Sequence, residues 1–130
     1  MPGMTDLAEM LRTLTVTRRA ETYTFVCLAD APPLGDGVAA VIDEAEGPTI
    51  VATVERARAE GWPVDFEAAW LTLDIHSALE AVGLTAAFSA ALTGADISCN
   101  VLAGFHHDHL LVPFDRADDA IAVLEGLRPS

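Results

Sequence analysis

The chain has 130 residues, enough for one domain or two very small ones packed together, and 52% of them are apolar, enough for a core. Twenty acidic residues against seven basic ones leave a net charge of -13. That field repels nucleic acid phosphates and anionic lipid, so neither nucleic acid nor membrane is expected as a partner.

Leu7, Met10, Leu11 and Leu14 recur at helical spacing, so a helix is predicted from Asp6 to Leu14 with Thr5 as its N-cap. This opening lacks the basic and apolar regions of a signal peptide. No stretch is long and apolar enough to span a bilayer, and a cytoplasmic location is expected. Cys27 and Cys99 each sit in an apolar run and read as reduced, buried thiols; nothing asks for a disulfide between them.

Thr22 to Leu28 alternates, with Tyr23, Phe25 and Cys27 on one face and Thr22, Thr24 and Val26 on the other, as a strand does. Two prolines and two glycines make Ala31 to Gly37 a loop. Val38 to Ile42 is a short strand, Glu46-Gly47-Pro48 a turn, and Thr49 to Val54 a further β-rich run. Glu55 to Glu60 is predicted as a short helix stopped by Gly61. Gly61-Trp62-Pro63 marks the division between two domains, placed at 1–65 and 66–130.

In the second half, Ala69 to Ile75 is predicted as a strand with Leu71, Leu73 and Ile75 on one face. Leu84 to Leu92 is a helix whose apolar side holds Leu84, Ala87, Phe88, Ala91 and Leu92, with Gly94 as the cap just past its end. Ile97 to Leu102 reads as a strand, with Ile97, Cys99 and Val101 opposed to Ser98 and Asn100. Leu110 to Phe114 is another strand. The last helix opens at Asp115, whose carboxylate is expected to cap it, and carries a core stripe of Ala117, Ala120, Ile121, Leu124 and Leu127. The halves repeat in pattern: Glu46 to Val51 stands where His107 to Val112 stands, each ahead of a helix. Two copies of a split βαβ unit in an α+β fold fit this order.

Three groups of residues invite chemistry. Ser77-Ala78-Leu79-Glu80-Ala81-Val82-Gly83-Leu84 leads into a helix, where the amides of Val82, Gly83 and Leu84 can face a ligand carboxylate. Ser77 and Glu80 also have capping-box spacing, and Gly83 also suits a turn, so a structural role is open to both. Ser98 and Asn100 lie on the polar side of the following strand, and the Asn100 amide oxygen can accept from a ligand ammonium. His106-His107-Asp108-His109 forms the second group. His107 and His109 project to one side of an extended segment, and His76 is the remaining imidazole for a metal. The plainer reading of that group is a hairpin turn with Asp108 bonded to the local backbone. The third group pairs His76 with Asp74, or His107 with Asp108, for acid–base work, with no nucleophile or oxyanion site in view.

The loop Glu80-Ala81-Val82-Gly83, the helix Leu84 to Leu92 and Gly94-Ala95-Asp96-Ile97-Ser98-Cys99-Asn100-Val101 resemble an ACT domain of the aspartokinase regulatory type. With Thr24-Phe25-Val26, Glu46-Gly47-Pro48-Thr49, Trp70-Leu71-Thr72-Leu73, His76 through Ala86 and Ala103 through His109, nearly the whole chain resembles the stand-alone bacterial proteins with two tandem ACT-like domains and no enzyme attached. The resemblance implies two ferredoxin-like βαββαβ units, often exchanging a strand. It also implies small-ligand binding, commonly of amino acids, near an ACT–ACT interface, and a homodimer through paired edge strands. Pro48 and the Pro/Gly-rich Ala31 to Gly37 loop depart from the pattern and weaken the expectation of a ligand in the first half. The expectation is therefore a non-catalytic, cofactor-free amino-acid-binding regulator using Ser77, Val82, Gly83, Leu84, Ser98 and Asn100. The rivals are a metal or hydrolytic protein using His76, His107 and His109, and a protein–protein interaction module.

Overall fold

The computed structural model describes residues 7–75 and 83–129. The expected Thr5 cap, His76, Ser77 and Val82 lie outside the described residues. The elements run α1 Leu7–Arg12, β1 Thr15–Cys27, β2 Val38–Ile42, β3 Thr49–Thr53, α2 Val54–Glu60, β4 Ala68–Asp74, α3 Leu84–Gly94, β5 Asn100–Ala103, β6 Asp108–Pro113 and α4 Ala117–Glu125. This is the expected α+β alternation. The chain forms two compact units: Ala20–Ala69, and a second that joins the chain up to Arg19 to the chain from Trp70 onward.

In the Ala20–Ala69 unit the strand order is β2-β3-β1, both pairings antiparallel. Val26 faces Ile50 and Thr24 faces Ala52. Val26, Val38, Ile50 and Ala52 form a buried cluster against which Leu28 and Trp62 pack. The Thr24/Val26 face of β1 thus packs on this cluster. The other face holds Tyr23, which is buried, but also the exposed Cys27 and the half-buried Phe25, which stacks on Phe66 at 6.3 Å.

Cross-strand neighbours share a face, and Ile50 and Ala52 are the fully buried ones there. β1 also begins at Thr15, seven residues ahead of the expected Thr22. Its first part is exposed on both sides, so no hydrophobic alternation advertises it.

α2 follows β3 directly. Thr53 Oγ1 accepts from the Arg56 amide at 3.1 Å as a side-chain N-cap. At its end Gly61 is left-handed, with φ 73. The Gly61 amide donates to Arg58 O and the Trp62 amide to Ala57 O. These are the two bonds of a Schellman motif, and they fold Trp62 back onto the cluster.

In the second unit the order is β4-β6-β5, with β5 and β6 antiparallel. Leu71 and Leu73 on β4, Leu110 and Val112 on β6, Phe88 and Leu92 on α3, and Ala120 and Leu124 on α4 are essentially inaccessible. Several boundaries differ from expectation, β6 among them, which runs Asp108–Pro113 and not Leu110 to Phe114. α3 runs through Gly94, and the left-handed residue past its end is Asp96, with φ 59. β5 starts at Asn100, three residues later than expected. Asp115 does not cap α4: a 3-10 turn, Phe114–Arg116, follows Pro113 and takes up Asp115, and Arg116 holds the N-cap position without a side-chain bond.

Candidate functional site

α3 opens on Gly83, whose φ of 98 is a left-handed value that only glycine adopts without strain. The Gly83 carbonyl accepts the first helical bond, from the Ala87 amide at 2.9 Å. An added Cβ would meet nothing closer than Leu7 Cδ2 at 3.7 Å, so the backbone angle, not space, calls for glycine. Leu84 is buried and anchors the first turn, leaving its amide as its contribution to any site. The first turns of α1, α2 and α4 carry Glu9, Glu55 and the Asp118/Asp119 pair. α3 carries no acidic residue there and, among the described residues, no side-chain cap. The positive end of its dipole is therefore not offset by a carboxylate of its own first turn.

Ser98 and Asn100 are placed elsewhere. Ser98 is exposed and lines a cleft of about 570 Å³ with Thr93, Asp96, Ile97, Pro113 and Asp115, past the C-terminal end of α3. The 11-residue helix is about 16 Å long at ~1.5 Å per residue, so that cleft and Gly83 mark opposite ends of it. Arg116 closes the C-terminal end, donating to Ala95 O at 3.2 Å and Asp96 O at 3.4 Å while its Nε reaches Asp119 at 3.0 Å. Asn100 is exposed and stands opposite Leu111 in the β5–β6 register.

The sequence assigned Trp70 no site role and made His109 a metal candidate. The structure joins them in one network. Trp70, Thr72 and Asp74 alternate along one face of β4. Trp70 Nε1 donates to Thr72 Oγ1 at 3.2 Å and to His109 Nδ1 at 3.3 Å, and the Thr72 hydroxyl lies 3.0 Å from that same nitrogen. Since an indole N–H only donates, Nδ1 is the unprotonated nitrogen of His109 and the ring proton sits on Nε2. Arg19 covers the indole, its guanidinium carbon 4.0 Å from the ring centroid. Burial, then Arg19, then His107 hold His109 below the ordinary imidazole pKa, against a smaller opposing pull from Asp108. Burial raises the carboxyl of Asp108. Trp70 and His109 are 39 positions apart, and only the Trp70/Thr72/Asp74 alternation hinted at such a face.

His107 Nδ1 lies 3.8 Å from Asp74 Oδ1, so among the described residues the partner of Asp74 is His107. The turn before β6 is closed by the backbone, the Gly104 amide donating to His107 O at 2.9 Å. His106 packs edge-on against Phe105 at the tip. Among the described residues no three His, Cys, Asp or Glu side chains converge as a metal site.

The Ala20–Ala69 unit has a cleft of about 880 Å³ that the sequence did not single out, lined in part by Glu21, Asp36, Glu55, Arg56, Arg58 and Glu67. Arg56 is engaged there, to Glu60 at 3.1 Å and to Asp36 O at 2.7 Å.

Two ACT-domain profiles match the chain, one over residues 2–69 and one over residues 65–126. A solved Vibrio cholerae protein of unknown function, described as a possible transport protein, is 35% identical over 95% of this chain and 96% of its own, with a TM-score of 0.83. An Agrobacterium tumefaciens protein shares the fold at 19% identity, 88% coverage of each chain and a TM-score of 0.64. So does part of the Clostridium acetobutylicum aspartate kinase, at 10% identity and a TM-score of 0.60, over 89% of this chain and 34% of the kinase. No curated protein matches the chain.

Proposed function

The chain belongs to the ACT-domain family, and on that premise we propose that it is a non-catalytic, amino-acid-binding regulator. ACT domains are typically regulatory modules for small molecules. The observation that carries the finer reading is the start of α3, left-handed at Gly83, with no carboxylate in its first turn and no side-chain cap among the described residues. A carboxylate there gains backbone donors and the helix dipole, worth about 0.3–1 kcal/mol when exposed. Gly83 and Leu84, with Ser77 and Val82 ahead of them, hold the carboxylate in this reading. Ser98, in the cleft past the far end of α3, and Asn100, at the start of β5, serve a second ligand in this reading.

We also assign the two domains to 1–65 and 66–130, acting as a homodimer in the cytoplasm. Strand exchange is supported by the compact units, in which α1 and the beginning of β1 join the chain from Trp70 onward. No helix among the described residues is long and apolar enough to cross a membrane.

A panel of free amino acids read by thermal melting tests the proposal. A ligand that binds only the folded state adds about 2.7 kcal/mol at a hundredfold excess over Kd, a rise of several degrees for a domain of this size. At least one amino acid is expected to give it. A panel in which none shifts the melting point overturns the reading.

A further inference from the structure

The chain leaves the second unit after Arg19 and re-enters it at Trp70. These two residues, both within that unit, are in contact: the Arg19 guanidinium carbon stands 4.0 Å from the centre of the Trp70 indole. A cation over an indole face is held there by the ring's quadrupole. The contact therefore ties the side chains of β1 and β4 together at the two positions where the chain leaves and returns. The same indole is bound by His109, the ring centres 5.2 Å apart and tilted at 51°.

This arrangement requires a neutral His109. Its Nδ1 accepts from the indole N–H at 3.3 Å and has the Thr72 hydroxyl as a second partner at 3.0 Å. A proton on Nδ1 sets two N–H donors against each other. Thr72 can change sides, because a hydroxyl both donates and accepts. Its oxygen lies 3.2 Å from the indole nitrogen and 3.0 Å from Nδ1, within reach of both N–H groups once the imidazole is charged. The charged and titratable groups around His109 are Arg19 on β1, His107 in the turn with Asp74 of β4 as its partner, and Asp108 beside it on β6. Trp70 and Thr72 on β4, and Leu102 opposite it on β5, carry no charge. Burial first, then Arg19, keep His109 uncharged at neutral pH. An imidazolium there puts a second positive charge beside the indole that Arg19 covers.

We propose that His109 is a proton-operated latch on the Arg19–Trp70 tie. In mildly acidic solution Nδ1 takes up a proton and donates to Thr72, the indole loses its imidazole acceptor, and Arg19 is released from the face of Trp70. The strands themselves stay paired. The latch is independent of any bound amino acid.

Nuclear magnetic resonance of the isotope-labelled full chain, from about pH 7.5 to about pH 5, reads each step. The chain has two tryptophans, and Trp62→Phe identifies the indole resonance of Trp70. That proton is expected to move upfield in one transition with a midpoint below 6.5, the ordinary imidazole value. The Arg19 side-chain resonances, shielded by the indole in the neutral state, are expected to move downfield with the same midpoint. His109→Gln keeps an oxygen that accepts from the indole but takes up no proton, and is expected to show neither change. Arg19→Gln removes a cation from beside the imidazolium and is expected to raise the midpoint of the indole transition. A Trp70 indole resonance that stays fixed across the range, or a transition that persists in His109→Gln, overturns the latch. An indole transition that leaves the Arg19 resonances unmoved, or a midpoint that does not rise in Arg19→Gln, overturns the release of Arg19.

Discussion

Thr24 is fully buried on β1, and its hydroxyl has no hydrogen-bond partner among the described residues. A buried polar group left unpaired costs about 1–3 kcal/mol, and valine has the same branched shape without that group. Thr24→Val is therefore expected to raise stability by about 1 kcal/mol in chemical denaturation. His109 gives a pH effect of definite sign. Its pKa in the folded chain lies below the free value of 6.5, so the unfolded chain takes up the proton more readily. The contribution is intact above the free pKa and is lost as pH falls below it. Melting temperature is expected to drop as pH goes from about 7 to about 5, with a smaller drop in His109→Gln. An equal drop in both would remove His109 from the account.

Elements with a local signature were legible in the sequence. α2 carries both its stop signal, Gly61, and the apolar Trp62 that the Schellman turn brings home. α3 ends in the same two bonds, from the Asp96 amide to Thr93 O and from the Ile97 amide to Leu92 O. There the glycine that looked like the cap, Gly94, is inside the helix, and an aspartate takes the left-handed position. Two candidates for one position cannot be separated by composition; what decides is that Ile97, not Asp96, is the residue to be buried. Asp96→Gly is expected to stabilise by about 1 kcal/mol, since a non-glycine residue pays roughly that at positive φ. Unfolding by denaturant with an unchanged slope would show it.

β1 was half legible. Its second part alternates, but from Thr15 to Glu21 one face is wholly polar and the other is broken by Arg18 between Val16 and Ala20. Contacts far along the chain accompany that part: Arg18 with Asp118 at 3.2 Å, and Arg19 over Trp70. Such pairings have no period to read.

At the scale of the molecule, the tandem architecture was visible because two halves repeat one order of elements and each strand pair precedes a helix. The candidate site was only partly visible. The approach to a helix through Gly83 can be read from sequence, since glycine and the apolar stripe after it are local features. The Trp70–Thr72–His109 network depends on which strands become neighbours, which no single segment encodes. Charge was legible at once, yet its consequence depends on where carboxylates are missing, as in the first turn of α3.

The central claim is that an amino acid docks its carboxylate on the amides where α3 begins. Titrating the amino acid that raises the melting point into isotope-labelled protein, and following backbone amide resonances, measures this directly. The Gly83 and Leu84 amides are expected to show the largest saturable shifts, downfield as each gains a charged acceptor. Saturable binding that leaves both amides unmoved would contradict the claim.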